Sequence, residues 1–149
     1  MDYRVRALCL RPYPGHPQGC PNYGRRLTCP PGVGLFDRVF DLSQPVFAVV
    51  GQFDLESHMV RMCQKHPHWT ERQLRNCRYW QGTARKALRL QLASFLATHP
   101  GYSAATAPEA MGVEVTATLR RAGVELEWPV RRVARQVALC AIPLNRSSA

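Results

Sequence analysis

Residues 70–100, TERQLRNCRYWQGTARKALRLQLASFLATHP, decide the reading of the fold. Thr70 followed three residues later by Gln73 makes a capping box, in which each side chain satisfies a backbone N–H left bare at a helix start. Leu74, Cys77, Ala84, Leu88, Leu92 and Phe95 then recur at helical spacing on one face until His99-Pro100 stops the run. The other side carries Arg72, Arg75, Arg78, Arg85, Lys86 and Arg89. The pattern predicts one long basic amphipathic helix over 70–99.

Working outward, Pro45-Val-Phe-Ala-Val-Val50 is a continuous apolar run of strand length, read as a buried strand. Asp54 can cap a helix that runs to about Lys65 and ends at His66-Pro67, and Leu35–Phe40 has the character of a short helix. A further helix is expected over Glu109–Arg121, closed by Gly123. Val124–Trp128 alternates like a strand, Val133–Ile142 can form the last one, and residues 3–9 alternate well enough for a short first one. The expected architecture is therefore α/β or α+β, a single domain over residues 1–149. A small mixed sheet is covered by helices and preceded by a cysteine-rich loop.

At 149 residues, with 46% hydrophobic and 20% charged residues, the chain has the composition of a folded domain rather than a disordered one. No apolar run approaches the ~20 residues that span a bilayer, so no membrane partner is expected. Met1-Asp2-Tyr3-Arg4-Val5-Arg6 meets charge before a leader's apolar region can form, which makes the cytoplasm the expected compartment.

The formal net charge is +10, and Lys65 and Lys86 are the only lysines. Arginine's planar fork suits phosphate and carboxylate, so this balance points to an anionic partner, nucleic acid included. Arginine-favouring codon usage and a solvated helix face account for the same excess without any partner.

Six cysteines divide into two sets. Cys63, Cys77 and Cys140 sit singly in apolar-periodic segments and read as small hydrophobes of a core. Cys9, Cys20 and Cys29 lie in or beside a stretch, Leu10–Val33, so dense in proline and glycine that no helix or central strand survives there. Such a segment needs something to order it, and thiolates in a reducing compartment more often hold metal than form disulfides. Residues 9–33 are accordingly read as a metal-binding loop with Cys9, Cys20 and Cys29 as ligands. Ten and eight residues intervene between successive cysteines, without the close pairs of most structural zinc sites. Spacing alone leaves iron–sulfur cluster and zinc both open. Arg25 and Arg26, inside the loop, would stabilise thiolates and an anionic cluster or ligand. His16 could complete a three-cysteine, one-histidine set, although an exposed loop histidine is the plainer reading.

The run Cys…Cys20-Pro-Asn-Tyr23-Gly24-Arg-Arg-Leu-Thr-Cys29-Pro30-Pro31, with Pro108-Glu109-Ala110-Met111-Gly112-Val113 and a helix ending in Gly123 near the other end, resembles the DUF2284 family of predicted metal-binding proteins. That resemblance implies a small protein holding zinc or an iron–sulfur centre through its N-terminal cysteines. Family members tend to carry a further cysteine immediately before the closing motif, where this chain has Ala107. Three cysteines would then leave one metal position open to another residue, water or substrate. Three functional classes remain. The first is a metal-binding protein acting on or with an anionic partner through that open position, enzymatic or not. The second is a non-enzymatic nucleic-acid-binding module with a structural metal, and the third is an electron-transfer protein.

Overall fold

The computed structural model describes residues 1–13 and 15–144. In chain order its elements are helix α1 (Tyr3–Ala7), α2 (Phe36–Val39), strand β1 (Phe47–Asp54), α3 (Leu55–Lys65), α4 (Glu71–Leu74), α5 (Gln81–Thr98), β2 (Ser103–Ala105), α6 (Val115–Arg121) and β3 (Val133–Ala141). Single 3₁₀ turns at Leu8–Leu10, Cys77–Tyr79 and Pro108–Met111 connect them. This is a mixed α+β domain.

Among the described residues the sheet has three strands in the order β1–β3–β2, and both pairings are antiparallel, where a mixed sheet was expected. Phe47 pairs with Cys140 and Asp54 with Val133, while Ala105 pairs with Leu139. As the central strand, β3 is covered on both faces. Side chains alternate along a strand, so Ala134, Ala138 and Cys140 meet α5 through Ala84, Leu88 and Leu92. Leu139 and Ala141 pack on the opposite side against Phe36, Phe40, Met111 and Leu119.

The small residues of β3 and β1 let α5 come close. A Cβ added at Gly51 would lie 3.0 Å from the Leu88 backbone. Glycine is needed there because the helix axis passes directly over it. Leu55, Leu119 and Cys140 are fully buried, each aliphatic side chain contributing about 2 kcal/mol of burial.

Several expectations hold in place and fail in detail. Thr70 and Gln73 form the capping box, and Asp54 caps α3 by accepting from the Ser57 amide. The helix expected over 70–99 is broken, however. The Asn76 side chain accepts the Arg78 amide at 3.1 Å and starts a separate 3₁₀ turn. Local side-chain bonding of this kind competes with helix continuation. The Trp80 indole N–H donating to the Arg75 carbonyl (3.1 Å), and its ring stacked on Phe53, then seat the start of α5. The break turns Cys77 outward, so this thiol is exposed rather than buried, and Cys63 is exposed too; of the three assigned to the core, only Cys140 is buried.

The strand expected at residues 3–9 is α1, because Asp2 accepts the Arg4 amide and caps it. The helix expected over Glu109–Arg121 is divided at Gly112, whose φ of 81° closes a 3₁₀ turn before Glu114 caps α6. Val124–Trp128 forms no strand. The Glu127 carboxylate instead accepts the Arg132 amide at 3.0 Å, at the entry to β3.

Two outcomes test this packing. Gly51→Val forces α5 off the sheet, and unfolding by urea should show a loss of about 1–3 kcal/mol, typical of overpacking. His58 is buried on α3 with its Nε2 atom unpartnered, and burial followed by the nearby Arg61 charge holds its pKa below the ordinary histidine value of 6.5. The unfolded chain thus binds a proton there that the folded chain resists, so stability falls as pH drops through 6.5. Denaturant midpoints of His58→Leu between pH 7 and pH 5 should be flatter than those of the parent.

Candidate metal centre and the adjoining cleft

The cysteine loop is irregular but not unpaired. α1 is tied to the rest of the fold by the Asp2 amide donating to the Gly112 carbonyl at 3.0 Å and by the Tyr3 hydroxyl donating to Asp37 at the start of α2. That anchorage places the Leu8–Leu10 turn, and with it Cys9, near the Pro108–Met111 turn that carries Glu109. From there Tyr13 and His16 exchange backbone hydrogen bonds, the Cys20 amide donates to the Cys9 carbonyl at 2.8 Å, and the Gly24 amide donates to the Pro30 carbonyl at 2.7 Å. The Cys29 amide bonds back to Arg26, and the Arg6 guanidinium donates to the Pro31 carbonyl at 3.2 Å. These bonds order a segment whose prolines deny it regular structure.

Gly19 makes the Cys9–Cys20 closure possible. Its φ is +83°, and a Cβ there would stand 2.6 Å from the Cys9 carbonyl oxygen. Only glycine tolerates both conditions.

Cys9, Cys20 and Cys29 are all free thiols and all half-buried. The Cys9 thiol is pushed above its ordinary pKa first by burial, then by the neighbouring Cys20 and Cys29, with Glu109 adding in the same direction and Arg6 opposing. Cys20 and Cys29 are therefore both near enough to Cys9 for it to feel their charge. The three have not converged on a point: among the described residues no group of three or more His, Cys, Asp or Glu stands at metal-holding separation. Burial also raises the Glu109 carboxyl, although the residue itself keeps an exposed surface. The His16 ring packs tilted against Tyr13, 4.7 Å between centroids, and shares a groove with Cys20, Tyr23 and Arg25.

Arg25 and Arg26 part company. Arg25 belongs to the His16 groove, whereas Arg26 lines a second cleft of about 460 Å³. This cleft lies between the cysteine loop, α5 and the end of β2, and Cys29, Arg85, Arg89 and Ala107 share its wall. The position where the family resemblance implied a fourth cysteine thus lies on the same cleft as Cys29. Thr106 and Gln136 also line it and were missed. Gln136, a lone amide amid the small and apolar residues of β3, was the one available signal. A larger groove, about 520 Å³, is lined by Asp54, Glu56, Glu125, Glu127, Arg132 and Arg135. Its Asp54 is occupied in capping α3 and its Glu127 in holding the entry to β3.

Comparison with protein-family models, curated proteins and solved structures returns no match. The site must be judged on its own chemistry. Among the described residues no helix is long and apolar enough to cross a membrane.

The thiol environments predict an order of reactivity. At pH 7.5 iodoacetamide should modify exposed Cys63 and Cys77 first and Cys9 more slowly, with Cys140 protected until unfolding, as mass spectrometry of timed digests would show.

Proposed function

We propose that the chain is a small metal-binding protein, with Cys9, Cys20 and Cys29 holding zinc or an iron–sulfur centre. The observation that carries the reading is the closure of the loop on itself. A 2.8 Å backbone bond joins Cys20 to Cys9, and a glycine at position 19 allows the contact. Cys29 joins this pair as a third free, half-buried thiol whose charge Cys9 feels. Thiolates are the donors that zinc and iron–sulfur clusters use, and a cluster with three protein ligands keeps one position for an outside molecule. The resemblance of the Cys20–Pro31 run to a family of predicted metal-binding proteins supports the same assignment. Within this reading Arg6 and Arg26 supply positive charge near the thiolates, and Glu109 stands near enough to Cys9 to influence its charge.

Metal analysis of anaerobically purified protein, together with its absorbance spectrum, tests the proposal. Stoichiometric zinc without colour, or iron and sulfide with a band near 400 nm, is the expected outcome, and Cys20→Ser and Cys29→Ser should each lower metal content at least severalfold. Full metal content in both variants, or none in the parent, would refute it.

A further inference from the structure

We propose that the cleft beside Cys29 is a binding site for the phosphate group of a small organic phosphate. Three guanidinium groups reach it from two separate parts of the chain: Arg26 from the cysteine loop, and Arg85 and Arg89 from adjacent turns of α5. None of the three has a carboxylate within ion-pair distance among the described residues, and no acidic side chain lines the cleft. Arg75, just past the end of α4, shows the contrast: it is bonded to Glu71 at 2.8 Å and to the Val130 carbonyl at 2.9 Å, so its charge is paired within the fold.

Three uncompensated cations around one concavity repel one another, and a bound dianion relieves that repulsion. A phosphate monoester supplies two charges and three oxygens for guanidinium forks, where a carboxylate supplies one charge and two oxygens. Thr28, Thr106 and Gln136 add neutral hydrogen-bonding groups on the same wall. About 460 Å³ is the size of a small-molecule pocket.

The occupant also has an apolar part. Leu88 and Leu92 form one side of the cleft. Thr28, Thr106 and Ala107 are shared with an adjoining recess of about 220 Å³ lined by Val33, Phe40 and Met111. The basic half meets the phosphate and the apolar half meets its substituent. A ligand seated there would lie against Cys29, on the side of the thiol cluster where Ala107 leaves room. The inference does not require metal at the cluster, since every contact it invokes is made by the chain itself.

Calorimetric titration with phenyl phosphate, inorganic phosphate and benzoate tests it, on the purified protein at moderate salt. Saturable binding of phenyl phosphate is expected, tighter than that of inorganic phosphate or benzoate. Arg85→Gln, Arg89→Gln and Arg26→Gln should each weaken it about tenfold or more, the loss typical of one charged hydrogen bond. These residues are exposed and outside the core, and circular dichroism would confirm that the variants fold. Arg72→Gln, on α4 away from the cleft, should leave the affinity unchanged. Absence of saturation, equal affinity for benzoate, or full affinity in an Arg85→Gln/Arg89→Gln variant overturns the proposal. A single-stranded oligonucleotide that binds tighter than phenyl phosphate, with affinity that depends on Arg72 and Arg78, overturns it in favour of a nucleic-acid face. Metal content measured on the same samples separates failure of this inference from failure of the metal reading.

Discussion

The approach of α5 to the sheet at Gly51 governs the rest of the molecule. With Leu88 backbone atoms 3.0 Å from where a side chain would begin, the helix can be neither rolled nor lifted without losing its contacts to Ala138 and Cys140. Packing of this density transmits position accurately. Because the helix is fixed in rotation, the face bearing Arg85 and Arg89 is fixed as well, on the solvent-open cleft it shares with the cysteine loop. The small side chains of β3 and the charged side of α5 are thus two halves of one arrangement.

The loop obeys a different physics. It has almost no apolar core of its own, and backbone hydrogen bonds and two anchor points hold its shape. One anchor is α1, held to Gly112. The other is the Pro30–Pro31 region, reached by Arg6 and by the Gly24 amide. Between them lie Cys9, Cys20 and Cys29, three free, half-buried thiols, with Cys20 and Cys29 both near enough to act on Cys9.

The legible parts of the sequence were those governed by local rules. The Thr70–Gln73 box, the Asp54 cap and the last strand are settled by neighbouring residues, and all are present. What was illegible depended on competition between local preferences and distant partners. Asn76 offered its side chain to the backbone and cut a helix that periodicity alone would have continued, exposing Cys77. Ser103–Ala105 has no strand pattern and becomes β2 only because the edge of β3 is there to pair with. The cysteine loop was recognisable from composition. That Arg26 would join Arg85 and Arg89 while Arg25 faced another groove was not, since adjacent residues in a loop have no fixed angular relation.

The bond from the Asp2 amide to the Gly112 carbonyl bears on the order of events during synthesis. The segment bearing Cys9 is synthesised about a hundred residues before the surface that holds it. Contacts so distant in sequence form slowly, and the cysteine segment must wait for them. Until then its thiols are open to the cell's oxidants and to stray metals, with no fold to select among them. A nascent chain of this kind is most vulnerable before the Gly112 turn has been translated.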